Sequence, residues 1–445
     1  MAGPPRVAEC VIQLIGARQI VSAASLQDAP ANPPLADAVQ QPASSEPSFA
    51  SIACKPGIDG VLPSIVGGQG LAGMSANFTG VNYNTDETLP GAVLSLIGQR
   101  MVIRDSTFSN LVNVASGSLI VENSDLVIMN TTFSSNSQAA SGALYLNSSR
   151  VTVYNSLFDR NRGFQAGGIT AIGATSLLVN LTVFRFNNGS QACHGTPPSG
   201  GAIGMSPQSV GGNAPQLQVV DSLFMANTAV NGAGAFVQRA SLAAYINCTF
   251  AGNIASGNGA AVFQEATPGS LTRCTLANGR AQVGGGAYYN RCSKMVWTGN
   301  LFENNTARSG SAGMELNQCS GDIRQSTFFK NRGEKGGGIF MDQSAISVLN
   351  CTFSGNSASL LGGALYRSST THSSDVRGCS FLKNSAGQFG GAIYEQMIDS
   401  GSIKGCSFGG NTAPNAPALC TRLSSTEVAA DNIALNPADI QYMDH

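Results

Sequence analysis

Large apolar residues recur along this chain at a nearly constant interval. Successive members lie 25 to 28 residues apart, except for one interval of 40: Phe108, Phe133, Phe158, Phe184, Phe224, Phe250, Leu276, Phe302, Phe328, Phe353, Phe381 and Phe408. Ten of these positions are followed, three residues later, by an asparagine: Asn136, Asn161, Asn187, Asn227, Asn253, Asn305, Asn331, Asn356, Asn384 and Asn411. The pattern is broken after Phe108 and Leu276, where Leu111 and Gly279 take the place of the asparagine. A period of this length predicts a repeat protein whose units stack on one another.

A glycine-rich motif followed by apolar residues comes after the asparagine in many units. It begins at Gly142, Gly200, Gly285, Gly337, Gly362 and Gly390. Each unit is therefore predicted to contain a short strand ending in Phe, an Asn turn, a Gly turn and a second strand. Such short strands bury a core only when equivalent strands stack, and asparagine both tolerates the left-handed turn and can form side-chain ladders. We expect an all-β, right-handed parallel β-helix of about twelve or more coils, with ~53 Å between the first and twelfth coils.

A leucine-rich-repeat horseshoe has a similar period and is the alternative fold. Its leucine positions are missing from this chain. No segment has the sustained 3.6-residue period of a helical return limb. The repeat therefore favours the β-helix.

Because neighbours on a strand face opposite sides, the repeat also predicts which residues face inward. Small residues two positions before the Phe column should share its interior: Ser106, Thr131, Ser156, Thr182, Ser222, Cys248, Cys274, Ser326, Cys351, Cys379 and Cys406. A column after the glycine motif is also predicted to face inward: Tyr145, Phe263, Tyr289, Met341, Tyr366 and Tyr394. The next residue is polar and predicted to face outward, as a register-setting ladder or a glycan-contacting strip: Gln238, Gln264, Asn290, Asn317, Asp342, Arg367 and Glu395. In this ladder Arg367 would lie between Asp342 and Glu395.

Composition divides the chain into three parts. Residues 1–56 are predicted to be a poorly ordered N-terminal segment ending in an Ala/Pro/Ser-rich linker. Residues 57–412 are predicted to form the β-helix, with a clear register from residue 108. Residues 413–445 are predicted to be a cap or tail in which residues 426–434 would form a capping helix. The coil between Phe184 and Phe224 carries two insertions on either side of one short strand, which predict surface loops.

Charge and hydropathy narrow the choice of partners. The chain has 24 basic and 25 acidic residues, and nucleic acids or anionic membranes require clustered basic residues. We therefore expect no nucleic-acid partner. The chain lacks an apolar run long enough for a transmembrane helix, so we expect this chain not to be an integral membrane protein.

The 11 cysteines are interpreted mainly as small buried fillers with free thiols. Stacked neighbours in the inward column would have Cβ atoms too far apart for a disulfide. Cys292 and Cys319 occupy a second column and are the better candidates for a disulfide. The chain contains no CxxC pair, which argues against a structural zinc site.

Eight N-x-Ser/Thr sequons would accept glycans in a secreted eukaryotic protein. They begin at Asn77, Asn130, Asn147, Asn180, Asn188, Asn247, Asn304 and Asn350. The repeat itself favours Asn-x-Thr before Phe, so several of them arise from the fold's own sequence pattern.

An enzyme acting on polysaccharides would need carboxylates that converge on one groove. The polygalacturonase pattern begins with Asn-Thr-Asp, found here at residues 84–86, and includes a Gly-His-Gly, of which only His194-Gly195 is present. No Asp-Asp pair and no Arg-x-Lys follow. We predict no catalytic, cofactor-binding or metal-binding residue in this chain.

The paired GGA-[ILV] and FxxN motifs, in phase from Phe108 to Asn411, resemble the repeats of the chlamydial polymorphic outer membrane proteins. The resemblance implies a secreted or surface-exposed β-helix, with adhesive roles in the bacterial members. Those proteins carry a C-terminal transmembrane barrel, which requires many strands of ~9–11 residues. Only residues 412–445 follow the last repeat, so we expect no such barrel in this chain.

These observations predict a non-enzymatic β-helix that is secreted or held at the cell surface, in the cell envelope or outer membrane by family resemblance. Its role would be adhesion, binding or envelope structure. Its partner would be an extracellular glycan or a cell-surface protein. The alternative is a β-helical polysaccharide lyase or glycoside hydrolase.

Overall fold

The computed structural model describes residues 94–112, 116–189, 200–208, 213–370, 374–433 and 439–443. It also describes the backbone of strands at residues 10–13, 49–54, 64–66, 71–75 and 77–79. Throughout these ranges the regular structure is β-strand, and no α-helix occurs. Accordingly, these parts of the chain contain no helix that could cross a membrane.

The strands form four sheets, here called A, B, C and D. Sheet A contains Cys10–Gln13, Phe49–Cys54, Leu71–Ser75, Arg100–Arg104, Asp125–Met129, Arg150–Tyr154, Ser176–Asn180, Gln216–Val220, Leu242–Ile246, Gly269–Thr272, Met295–Thr298, Ser320–Arg324, Ala345–Leu349, Ser374–Arg377, Gly401–Lys404 and Thr426–Val428. Sheet B contains Ser64–Val66, Leu94–Ile97, Leu119–Glu122, Leu144–Asn147, Ile169–Ile172, Ile203–Ser206, Ala235–Gln238, Val262–Glu265, Ala287–Asn290, Met314–Asn317, Ile339–Asp342, Leu365–Thr370, Ile393–Ile398, Leu419–Arg422 and Ile440–Met443.

Sheet C holds the Phe column and contains Asn77–Thr79, Thr107–Ser109, Thr132–Ser134, Leu157–Asp159, Val183–Arg185, Leu223–Met225, Thr249–Ala251, Thr275–Ala277, Leu301–Glu303, Thr327–Phe329, Thr352–Ser354, Ser380–Leu382 and Ser407–Gly409. Sheet D is short and contains Asn188–Gly189, Thr228–Ala229, Ile254–Ala255, Arg280–Ala281, Thr306–Ala307, Arg332–Lys335, Ser357–Leu361 and Ser385–Ala386. A typical coil runs through a strand of B, then A, then C, then D. The predicted parallel β-helix is therefore confirmed.

The interior of the coils is a continuous apolar core between sheets A, B and C. The predicted Phe column is buried along its length, and its rings stack with centroids 4.5 to 5.1 Å apart. This spacing is close to the ~4.8 Å between neighbouring strands, because each ring occupies the same position in its coil. The predicted register of sheet C is thus confirmed.

The predicted asparagine ladder forms inside the corner between sheets C and D. The amide of Asn331 donates to the carbonyl of Phe302 at 2.9 Å and to the side-chain oxygen of Asn356 at 3.0 Å. Its own oxygen accepts from the backbone and side-chain nitrogens of Asn305. The left-handed backbone lies one residue earlier, as at Lys330 with φ of 53°, so the ladder asparagines serve as hydrogen-bond partners rather than as the turn residues.

The column of small residues is buried beside the Phe column, as predicted. Each of its hydroxyls or thiols takes the same place in the corner between sheets A and C. Cys351 and Cys379 follow this pattern, with the backbone nitrogen of Cys351 donating to the Cys379 sulfur at 3.4 Å. All eight cysteines that the structure describes are buried and free, including Cys292 and Cys319, so the better candidates for a disulfide are not bonded.

Further strands are described beyond both ends of the predicted β-helix. Two strands of sheet A, Cys10–Gln13 and Phe49–Cys54, pair antiparallel within the segment predicted to be poorly ordered. The predicted capping helix at 426–434 is wrong: Thr426–Val428 is a strand of sheet A, and Ile440–Met443 continues sheet B. Coil geometry therefore extends beyond residue 412. Residues 190–199, most of the first insertion, and residues 209–212, part of the second, lie outside the described residues.

Candidate functional site

The two faces of sheet B are set by its strand register. The side chains that enter the core are Leu146, Ala171, Met205, Val237, Gln264, Tyr289, Leu316, Met341, Arg367, Glu395 and Thr421. Residues one position earlier face outward: Tyr145, Thr170, Gly204, Phe236, Phe263, Tyr288, Glu315, Phe340, Tyr366, Tyr394 and Cys420. The inward positions of Tyr289 and Met341 are as predicted.

Several predicted orientations on sheet B are wrong. Tyr145, Phe263, Tyr366 and Tyr394 were expected inside and face outward. Gln264, Arg367 and Glu395 were expected outside and face the core. A one-residue error in the predicted register explains these reversals, because it moves a side chain to the other face of a strand.

Arg367 and Glu395 form an ion pair inside the β-helix. Their side chains are 1% and 0% exposed, and Arg367 Nη2 donates to Glu395 Oε1. Arg367 Nη1 also donates to the backbone oxygen of Ser374 at 2.6 Å and to its hydroxyl at 2.8 Å. Asp342 is not part of this pair: it aligns with Ser368 and accepts a hydrogen bond from its hydroxyl at 2.5 Å. The predicted outward ladder of Asp342, Arg367 and Glu395 is therefore wrong.

A different polar column runs along the outside of sheet B, and we call it the polar ladder. It occupies one position in each of eight successive coils: Gln238, Glu265, Asn290, Asn317, Asp342, Ser368, Gln396 and Arg422. Four of the predicted outward residues belong to it: Gln238, Asn290, Asn317 and Asp342. Most of its side chains are partly exposed. Equivalent positions repeat at ~4.8 Å, so the ladder spans ~34 Å along the axis.

Hydrogen bonds hold neighbouring members of the polar ladder in place. Gln238 donates to Glu265 at 2.6 Å, and Asn290 donates to the other oxygen of the same carboxylate at 3.1 Å. Arg291 pairs with Glu265 as well. Burial acts to raise the pKa of Glu265, but the hydrogen bonds from Arg291 and Gln238 bring it below its ordinary value. Glu265 is therefore a fixed, ionised acceptor.

Aromatic rings form the outward column beside the polar ladder. Phe236, Phe263 and Tyr288 stack with centroids 4.8 and 5.3 Å apart. Phe340 and Tyr366 form a second stack at 4.8 Å. A small apolar cluster outside the main core joins the second stack to Leu361, at the end of a sheet D strand, and to Phe389 and Ala416, which precede strands of sheet B. Phe236, Phe263, Tyr366 and Tyr394 are buried, so the polar ladder is the more accessible strip.

Glu315 interrupts the aromatic column. It occupies the position between Tyr288 and Phe340, and its side chain is buried. Its Oε2 accepts the backbone N–H of Ser311 at 2.9 Å. A side chain at Gly310, where φ is +68°, would place a Cβ 2.1 Å from that oxygen, so glycine is favoured at this turn.

Burial raises the pKa of Glu315 to about 7. The hydrogen bonds from Ser311 and Asn317 act in the opposite direction, Asp342 raises the value further, and Lys335 lowers it. A carboxyl group with this pKa can hold or release a proton near neutral pH. Glu315 was not predicted from the sequence, although its place in GMELN, where related coils have an aromatic residue, is a visible signal.

The remaining candidate chemistry is sparse. Residues 84–86 and His194-Gly195, the partial polygalacturonase pattern, lie outside the described residues. Within the described ranges, no group of three or more His, Cys, Asp or Glu is arranged to hold a metal ion. The four acids on the outside of sheet B, Glu122, Glu265, Glu315 and Asp342, belong to four different coils.

Comparison with known families agrees with the repeat. A model of the right-handed beta helix region matches residues 203–381, and the Chlamydia polymorphic membrane protein repeat matches residues 378–394. The β-helix is therefore right-handed, and the chain carries a repeat of the chlamydial type, as its motifs predicted. No match is found among curated protein sequences.

Solved structures that align with this chain have low sequence identity and TM-scores below 0.5. The A-module of a mannuronan C-5 epimerase from Azotobacter vinelandii is 10% identical, with 83% of this chain and 92% of that chain covered and a TM-score of 0.37. The periplasmic alginate epimerase AlgG is 10% identical over 89% and 84% of the two chains, with a TM-score of 0.32. PfbA, a surface adhesin of Streptococcus pneumoniae, is 11% identical over 70% and 83%, with a TM-score of 0.30.

Proposed function

We propose that this chain is a non-enzymatic binding protein that holds an extended, uncharged glycan along the polar ladder of sheet B. The observation that carries the proposal is the continuity of the ladder over eight coils, with one polar side chain in each. A polymer lying parallel to the axis would meet an equivalent donor or acceptor every ~4.8 Å. Repetition of this kind suits a ligand that is itself a repeat.

The chemistry of the ladder favours sugar hydroxyl groups. Amides such as Asn290 and Gln396 both donate and accept hydrogen bonds, whereas ionised carboxylates only accept. Glu265 and Asp342 would repel a polyanion, while a hydroxyl group can donate to either of them. Existing hydrogen bonds pre-organise the amides and reduce the entropy lost on binding.

The chlamydial repeat supports a location at the cell surface or in the cell envelope, because the matching family model is the repeat of a Chlamydia polymorphic membrane protein. A protein of that location meets polysaccharides as its nearest abundant polymers. A cell-surface protein is the alternative partner. Adhesion or envelope structure would then be the consequence of binding.

Binding to a panel of neutral polysaccharides, measured by affinity electrophoresis, tests the proposal. The variant Asn317→Ala/Gln396→Ala removes two ladder amides. If each amide contributes a typical hydrogen bond to the bound glycan, the affinity should fall by about tenfold or more, and the polysaccharide should retard the variant less. The control variant Gln218→Ala/Gln325→Ala removes two amides from other faces and should bind like the wild type. Equal binding by both variants, or no neutral polysaccharide bound by the wild type, would contradict the proposal.

A polysaccharide-modifying enzyme is the second candidate, and Glu315 is the observation that favours it. A buried carboxyl group with a pKa of about 7 is a suitable general acid or base. Glycoside hydrolysis needs a second carboxyl group across the same sugar, and Asp342 in the next coil, whose charge acts on Glu315, would have to supply it. Incubating the wild type with the same panel and measuring new reducing ends or unsaturated products distinguishes the two. Turnover that disappears in Glu315→Gln would establish the enzyme and displace the binding function.

A further inference from the structure

Basic side chains cluster on the outside of sheet D, away from the polar ladder. Arg280 and Arg332 occupy the same column two coils apart, with Thr306 between them. Arg308 follows in the middle coil, and Lys330 stands at the corner that leads into the strand of Arg332. We call Arg280, Arg308, Arg332 and Lys330 the basic strip. All four side chains are exposed.

The positive charges of the basic strip are not neutralised by ion pairs. Across the described residues, the ion pairs of the chain involve other cations. Over sheets C and D of these three coils, residues 275–281, 301–308 and 327–335, Lys335 adds a fifth cation and Glu303 and Glu334 are the acids, so five positive charges stand against two negative ones. A protein with a formal net charge of −1 thus concentrates unpaired positive charge on one narrow face.

We propose that the basic strip binds an acidic polysaccharide, as a second site beyond the polar ladder. Arg280 and Arg332 are separated by two coil steps, ~9.6 Å, which is comparable with the length of about two sugar units in an extended chain. Planar guanidinium groups bind carboxylates or sulfates through paired hydrogen bonds, and Lys330 adds a point charge. Charge complementarity selects an acidic polymer here, whereas the carboxylates of the polar ladder disfavour one.

Binding of polygalacturonate oligomers to the full chain, measured by calorimetry at several salt concentrations, tests the basic strip. The wild type should bind at low salt and lose affinity as salt rises, because exposed charges are screened. The variant Arg280→Gln/Arg308→Gln/Arg332→Gln should bind about tenfold more weakly or worse, and its salt dependence should be shallower. The control Arg150→Gln/Arg239→Gln/Arg273→Gln removes the same charge from exposed positions outside the column of sheet D and should bind within about twofold of the wild type.

A charge-preserving variant and a second polyanion distinguish a specific site from non-specific attraction. The Lys variant, Arg280→Lys/Arg308→Lys/Arg332→Lys, keeps the charge and should retain more affinity than the Gln variant. It also tests the site if the Gln variant folds poorly. Equal losses in the Gln variant and the control would mean that net charge alone attracts the polymer, and would overturn the site. Tighter binding of single-stranded DNA of matched charge would also overturn it, in favour of a nucleic-acid site. The ladder variant tests neutral-glycan binding, and its result does not change what is expected for polygalacturonate at the basic strip. The two proposals can therefore fail separately.

Discussion

At the scale of single residues, the ion pair of Arg367 and Glu395 is the largest departure from an apolar core. Two buried charges repay their loss of water only when they remain together, and a lone buried charge is costly. We predict that Arg367→Met alone, or Glu395→Leu alone, lowers the free energy of unfolding by about 3–5 kcal/mol. The double variant should recover most of the loss. Urea unfolding measures the free energy of unfolding of the wild type, the two single variants and the double variant. A double variant that loses as much stability as the two single variants together would contradict the pairing.

Glu315 makes stability depend on pH in the direction opposite to most carboxylates. Its pKa rises from an ordinary 4.5 to about 7 in the folded protein, so the folded state binds its proton more tightly than the unfolded state. Stability therefore falls as pH rises from about 4.5 to 7, by roughly 3 kcal/mol for this group. Below pH 4.5 the group is protonated in both states, so it no longer makes stability depend on pH.

Glu315→Gln isolates this contribution, because a neutral amide has no proton to lose. We predict that the variant and the wild type are similarly stable at pH 4, and that the variant is more stable at pH 8. Thermal unfolding at both pH values measures the difference. A wild type that gains stability relative to the variant between pH 4 and pH 8 would contradict the assigned burial of this carboxyl group.

At the scale of elements, the asparagine ladder fixes the corner between sheets C and D. Asn331→Ala leaves the buried backbone N–H of Asn305 without a partner, which should cost about 1–3 kcal/mol. Asn411 stands at the end of the ladder and is half-buried, so Asn411→Ala should cost less because water can replace it. Urea unfolding compares the two substitutions. Equal costs would show that the ladder acts through local turns rather than through stacking.

The contrast between sheets C and B shows which elements a sequence can predict. In sheet C, Phe and Asn are separated by three residues in nearly every coil, so each coil aligns itself and the burial of Phe353 follows directly. In sheet B the markers are glycines, and these vary in number before the strand. Gly286 and Gly338 occupy the place that Ala364 takes in a later coil, so aligning the first two glycines shifts the register by one residue.

That shift has different consequences for different residues. It moved the predicted position of Arg367 from the core to the surface and that of Tyr366 from the surface to the core. Apolar character could not correct the error, because outward rings such as Phe263 are buried as well and resemble core residues in the sequence. The polar ladder was predicted in part, whereas Glu315 depends on the packing of a glycine turn over its carboxyl group, which the sequence pattern does not contain.

At the scale of the whole molecule, the β-helix is a stack of interchangeable coils. Leu301 aligns with Thr327, so removing residues 301–326 deletes one complete coil and brings Tyr288 next to Phe340. Because each coil contacts only its neighbours, we predict a folded protein shortened by ~4.8 Å along its axis. Circular dichroism and small-angle scattering test this outcome. The deletion of residues 301–327 shifts the next strand by one residue and should lose stability, since its Phe would face outward.

A glycan bound along the outside of sheet B would be visible in a crystal structure of the protein with an oligosaccharide. The ligand would be the fragment of the tightest-binding neutral polysaccharide from the panel. We expect saccharide density parallel to the axis, within hydrogen-bonding distance of ladder residues in at least three successive coils between Gln238 and Gln396. Density confined to sheet A or C, or lying across the coils rather than along them, would show that the polar ladder is not the binding surface.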